Sequence, residues 1–111
     1  MFESLVRKIL KSEKVFGKID ISFVNEAEIR KLNKKFRKKD KPTDVLSFAY
    51  NEEGVLGDVI ISPKIARRNA KLFGTAPKAE LKRLVIHGTL HVLGYDHGRR
   101  MKHAEKIYSQ L

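Results

Sequence analysis

Three histidines, His87, His91 and His97, fall within eleven residues. On a helix, positions four apart differ by only ~40° around the axis, so His87 and His91 share a face one turn apart. Gly94 admits the left-handed conformation that ends a helix and reverses the chain, and that turn would bring His97 back toward the first two imidazoles. Three neutral imidazoles offer zinc nitrogen ligands at ~2.0–2.1 Å and leave a fourth position open, as catalytic rather than structural zinc requires. A satisfied core side chain is the ordinary reading of a lone histidine. Here Leu84, Val85, Ile86, Leu90, Val92 and Leu93 make the helix apolar nearly all round, and two histidines on one face of a buried helix need a partner. His103, six residues further on, breaks the spacing and reads as a surface residue.

The ligand spacing matches that of the metzincin proteases, H-E-x-x-H-x-x-G-x-x-H, at every position but the second. Gly88 stands where such a protease carries its glutamate base, so peptide hydrolysis lacks its usual proton acceptor. Glycine there suggests another nucleophile arrangement, or a substrate that approaches the backbone closely. A metzincin-like metallopeptidase is thus a rival reading and not the leading one.

The elements that must position these residues can be read from periodicity and caps. Phe2, Leu5, Val6, Ile9 and Leu10 have the spacing of an amphipathic helix. Lys18 to Val24 alternates, with Ile19, Ile21 and Phe23 on one face, and predicts a strand. Asn25 caps a helix with Glu26 and Glu28 in its first turn, which should end before Pro42. Asp44 to Tyr50 and Gly57 to Ser62 are β-favouring runs, and Asn51-Glu52-Glu53-Gly54 between them carries the chemistry of a hairpin turn. Ser62-Pro63 opens a helix that Gly74 ends, Pro77 opens another closed by Gly94, and a short helix follows from Arg99. The order αβαββααα gives an α+β class, a small mixed sheet packed with helices around the central apolar helix that carries the histidines.

Length and charge narrow the function. The 111 residues suit one domain spanning 1–111, and the absence of cysteine excludes disulfides, thiol catalysis and thiolate zinc sites. No apolar run is long enough to cross a membrane and the first residues lack a signal-peptide pattern, so a cytoplasmic protein with no membrane partner is expected. Twenty-four Lys and Arg against thirteen Asp and Glu give a net charge of +11. Seven of the basic residues lie between Lys31 and Lys41, opposed only by Asp40. A folded domain this basic points to a polyanion, nucleic acid first, against the alternative of a solvated lysine-rich surface.

With these motifs in place, the chain resembles the bacterial YbeY endoribonucleases, zinc-dependent ribosomal RNA maturation factors. The family signature H-G-x-L-H-L-x-G-Y-D-H is met from His87 to His97, with Val92 in place of a leucine. A second block, an aromatic, an arginine, then K-D-x-x-T-[DN]-V-L-S-F, is met by Phe36, Arg37 and Lys39 to Phe48. A third, L-G-D-[IV]-x-I-[SC], is met by Leu56 to Ser62. The sequence departs from the pattern at Ala49, where proline is usual, in a short loop to the third block, and in the basic Gly98-Arg99-Arg100 after the last histidine.

The resemblance implies a metal-dependent endoribonuclease acting on single-stranded RNA, in maturation of small-subunit 16S ribosomal RNA at its 3′ end and in ribosome quality control. The small ribosomal subunit would then be a partner. It also implies one Zn2+ per chain held by His87, His91 and His97, and a functional role for Arg37. A guanidinium suits that role, since it grips a phosphate through two parallel hydrogen bonds. Asp96 could orient a ligand or cap the following helix. Thr43, Asp44, Ser47 and Asp58 read as turn and strand-end hydrogen-bonding residues. Phe48 and Tyr50 could stack on unpaired bases, although Phe48 also suits the core. The other rival is a non-catalytic, ribosome-associated RNA-binding factor whose metal only holds the fold.

Overall fold

The predicted caps set the element boundaries. The computed structural model describes residues 1–111, in the order α1 (Glu3–Ser12), β1 (Lys18–Phe23), α2 (Glu26–Arg37), β2 (Val45–Glu52), β3 (Val55–Ile61), α3 (Pro63–Phe73), α4 (Pro77–Val92) and α5 (Arg99–Tyr108). Asn25 Oδ1 accepts the Glu28 amide at 2.8 Å, and Ser62 Oγ accepts the Ile65 amide at 3.4 Å, so each satisfies an amide that the first turn leaves free. Pro63 and Pro77 open α3 and α4, where the missing N–H costs nothing. α2 stops at Lys38, which takes the left-handed conformation at φ 58°, several residues before the proline that the sequence offered as the limit.

The three strands form one mixed sheet in the order β1-β3-β2. β2 and β3 are the antiparallel hairpin, while β1 runs parallel to β3. That parallel pair needs a long connection, supplied by α2 and the hairpin's first strand. The class is therefore α+β, as the element order implied.

Alternation along β3 divides the interior into two layers. Val59 and Ile61 face α1 and α4, joining Val6, Leu10, Leu84, Val85 and Val92 in the main cluster. Ile60 points the other way, with Leu46 and Phe48 of β2, toward Ile29 and Leu32 of α2 and Ile65 of α3. A second cluster joins α4 to α5 through Ile86, Leu90, Met101, Ala104 and Tyr108. α4 thus packs against β2, β3, α1, α3 and α5. Such burial on all sides holds its histidine face in a fixed place.

One strand expectation fails in part. Ile19 is buried and Ile21 half-buried, but Phe23, on the same alternating face, is 42% exposed. Phe23 is the last residue of β1, an edge strand, and stands at the margin of the apolar layer.

Candidate metal centre and its cleft

α4 places His87 and His91 one turn apart, and the chain reverses at Gly94, whose φ of 98° is the left-handed geometry expected there. The reversal returns His97 to the pair. One ring nitrogen from each of His87, His91 and His97 falls within 4.8 Å of the others. His87 Nε2 and His91 Nε2 are 3.1 Å apart. Two nitrogens on one tetrahedral zinc at ~2.0–2.1 Å would stand about 3.3–3.4 Å apart, so the spacing fits a shared cation.

Electrostatics supports the same fit. Burial, and then the neighbouring His87 and His97, push the His91 imidazole below its ordinary pKa, which favours the neutral ring with a free lone pair. His87 Nδ1 lies 3.3 Å from Glu105 Oε2 on α5. An Nδ1–H donated to that carboxylate leaves the His87 Nε2 lone pair aimed at His91, and two facing lone pairs repel unless a proton or a metal ion lies between them. The donor set therefore suits a metal ion.

The three rings open onto a cleft of about 470 Å³, which is also lined by Arg37, Thr43, Asp44, Ser47 and Ala49. The edge strand β2 runs along it, with α4 contributing His87 and His91, the turn after α4 contributing His97, and the end of α2 contributing Arg37. Arg37, more than forty residues from the histidines in sequence, thus shares their cleft. Its neighbour Asp40 is already engaged, by Arg30 Nε at 2.9 Å and Lys34 Nζ at 3.9 Å, and does not neutralise the cleft arginine.

Thr43, Asp44 and Ser47 do more than the turn and strand-end bonding read from the sequence. They line the cleft and also bond to the framework: Asp44 accepts from Thr43 Oγ1 at 3.4 Å and from Asn69 Nδ2 at 3.2 Å, and Ser47 Oγ donates to the Gly88 carbonyl at 3.3 Å. Asp58 lies apart from the histidines and accepts from the Tyr50 hydroxyl at 2.9 Å. His103 is exposed on α5, as its spacing suggested.

Two expectations change. The carboxylate that meets the cluster is Glu105, which the sequence reading missed. Asp96 is exposed, and the residue before α5 is Gly98, which provides no side-chain cap. Gly88, for its part, answers to packing. A Cβ there would lie 2.5 Å from Val59 Cγ1 and 3.2 Å from Ser47 Oγ. Glycine lets α4 press onto β3, and the position is turned into the sheet rather than toward a substrate. The glutamate of a peptidase would not fit there without displacing the Val59 side chain.

The comparisons with known proteins point to one family. The model of the family described as Endoribonuclease YbeY matches residues 1–110. Among relatives, the Endoribonuclease YbeY of Aquifex aeolicus is 46% identical over 93 residues, covering 80% of this chain and 62% of that protein. The Endoribonuclease YbeY of Persephonella marina is 41% identical over 111 residues, covering 94% of this chain and 72% of that protein. The chain thus spans less than two thirds of the first of these and about 72% of the second. The solution structure of TM1509 from Thermotoga maritima superposes with a TM-score of 0.74 at 37% identity, covering 98% of this chain and 79% of that one. With a family match over nearly its whole length and the three histidines drawn together beside Arg37, this chain belongs to the Endoribonuclease YbeY family.

Proposed function

We propose that residues 1–111 act as a single zinc-dependent endoribonuclease domain, cutting single-stranded RNA in the maturation of small-subunit ribosomal RNA, including the 3′ end of 16S rRNA, in the cytoplasm. The observation that carries this reading is the shared cleft of His87, His91, His97 and Arg37. No helix of the chain is long and apolar enough to cross a membrane, and the +11 charge suits a nucleic-acid partner.

Each residue has a defined part. His87, His91 and His97 would hold the zinc, with the Glu105 carboxylate orienting the His87 ring. Bound there, zinc would supply Lewis acidity, either to activate a water or to polarise the phosphate toward the RNA 2′-hydroxyl. Arg37 grips the phosphate oxygens and stabilises charge as it builds on them. The lysines between Lys31 and Lys41 draw the RNA backbone toward the cleft.

The open cleft favours catalysis over a purely structural metal, because the three rings line accessible space instead of closing on one another. Incubating the protein with a structured RNA bearing single-stranded tails, alongside metal analysis, tests the proposal. Cleavage confined to the tails is expected, and a 2′,3′-cyclic phosphate end would assign attack to the 2′-hydroxyl. A His87→Ala protein that stays folded by circular dichroism yet cleaves as the wild type would refute the catalytic site. If its loss of cleavage accompanies global unfolding, the metal is structural.

A further inference from the structure

The ladder between β2 and β3 fixes which backbone groups of β2 are already used. The Ser62 amide donates to the Asp44 carbonyl at 3.0 Å, in step with the Val45–Ile61 register, so Asp44 and Ser62 form a hydrogen-bonded antiparallel pair. Such pairs alternate with non-bonded ones along the strands. Leu46 and Phe48 therefore turn their N–H and C=O toward β3, whereas Val45, Ser47 and Ala49 turn theirs away from it. β2 is an edge of the sheet, and no other backbone group bonds to the outward ones. All three outward residues line the cleft shared by His87, His91, His97 and Arg37.

An open edge is a row of donors and acceptors free to pair. At each outward residue the N–H and C=O lie side by side and point the same way. The Watson–Crick edge of every RNA base offers the complement, an acceptor beside a donor, as O4 and N3–H do in uracil or N1 and N6–H in adenine. The aromatic rings of β2 do not serve the cleft: Phe48 lies on the opposite face against Phe36, Tyr50 is tied to Asp58, and neither lines it. Hydrogen bonding is then the means left to hold a base. Charge favours RNA over an added peptide strand. The cleft contains Arg37, its one acid Asp44 is already bonded to Thr43 and Asn69, and the chain carries +11.

We propose that the open edge of β2, through the N–H and C=O groups of Ser47 and Ala49, hydrogen-bonds the Watson–Crick edges of unpaired bases lying in the cleft. The inference rests on the endoribonuclease reading of the cleft and adds to it a source of strand selectivity. A base in a duplex has that edge occupied by its partner, so it cannot pair with β2. All four bases carry the acceptor–donor pair, so the edge selects single strands without selecting a sequence. Ser47 Oγ donates to the Gly88 carbonyl at 3.3 Å, which ties the edge to α4 one residue past His87. The departure from proline at Ala49 leaves one of the outward donors in place.

The test compares a short fluorescent oligouridine with the same oligomer built from 3-methyluridine, by equilibrium binding at matched salt. The methyl group blocks the N3 donor and leaves the backbone charge alone. The wild type should prefer the unmethylated strand about 5- to 150-fold, the effect of two blocked bases. This arm uses the unaltered protein and runs no folding risk. Ala49→Pro deletes one outward N–H and spares the ladder, because that N–H bonds nothing within the sheet. It should bind oligouridine about 2- to 10-fold more weakly and shrink the preference by a similar factor. Its salt dependence should stay as in the wild type, since no phosphate contact is lost. Equal affinity of the wild type for the two oligomers overturns the proposal, as does an Ala49→Pro protein that keeps both affinity and preference. A flattened salt slope in Ala49→Pro would mean that the amide meets a phosphate, and overturns it too. So does a valine-rich peptide whose binding Ala49→Pro abolishes while RNA binding is unmoved, which would assign the edge to strand addition. In each of these cases wild-type cleavage of RNA stands. A wild-type protein that neither binds nor cuts RNA overturns the endoribonuclease reading and the base-pairing edge with it.

Discussion

Glu105 Oε2 lies 3.3 Å from His87 Nδ1, so α5 fixes the orientation of a ring carried by α4. Carboxylates behind ligating histidines set the tautomer and raise ligand basicity, and losing one typically costs 10–100-fold in metal affinity. Glu105→Ala should therefore weaken zinc binding by about that factor with the fold retained. Chelator competition against the wild type measures it, and equal affinity would mean that His87 is oriented by its own helix alone.

Metal content should fall on acidification, because proton and metal compete for the same imidazole lone pairs. One zinc per chain is expected near neutral pH, declining as the histidines become charged. Dialysis at stepped pH followed by metal analysis follows the loss. A protein that takes up no zinc at neutral pH would remove the premise.

Gly88 tests packing against chemistry. Alanine in a helix interior is favoured over glycine by roughly 1 kcal/mol, but its Cβ would stand 2.5 Å from Val59 Cγ1, and overpacking of this kind costs about 1–3 kcal/mol. Gly88→Ala should thus destabilise the wild-type background and stabilise a Val59→Ala background. Urea titration of the four proteins reads this reversal. If Gly88 instead served substrate approach, the alanine would stabilise both backgrounds and harm only cleavage.

Alkaline pH should act through the tyrosines. The hydrogen bond to Asp58, chiefly, pushes the Tyr50 phenol up to about 12. Burial, followed by the bond to Glu13, raises Tyr108. A phenol whose pKa is raised on folding stabilises the fold fully below its unfolded value of ~10, and that contribution is lost as pH rises through the folded value. Stability should therefore decline at strongly alkaline pH. Phenolate absorbance in the folded protein should lag behind that of the unfolded chain, and Asp58→Asn should advance the Tyr50 component.

What the sequence made legible was local. Asn25, Ser62, Pro63 and Pro77 act within one turn of themselves, so they mark helix starts without knowledge of the fold. The histidine cluster was legible for the same reason, because one helical turn and one glycine reversal bring it together. The parallel pairing of β1 with β3 spans α2 and β2 and depends on which faces are buried. Glu105 reaches His87 only because Met101, Ala104 and Tyr108 seat α5 against α4. Gly88 was misread as chemical because its neighbour Val59 is remote in sequence.

Arg37 separates gripping from general attraction. Asp40, the one acid in the basic run, is held by Arg30 and Lys34, which leaves the Arg37 guanidinium available in the cleft. On the proposed function, lysines of the run attract the RNA backbone by charge and release counterions, so Lys34→Gln should flatten the salt slope by roughly 0.7, the value for one phosphate on a single strand. Arg37→Lys keeps the charge and loses the planar fork. Binding should change little, while cleavage should fall by on the order of a hundred- to a thousand-fold, the usual loss when a donor to transition-state charge is removed. Single-turnover cleavage with saturating enzyme, set beside equilibrium binding at the same salt, distinguishes the two effects. If Arg37→Lys cleaves at the wild-type rate, the guanidinium fork contributes nothing to the reaction and Arg37 belongs with the lysines that only attract the RNA.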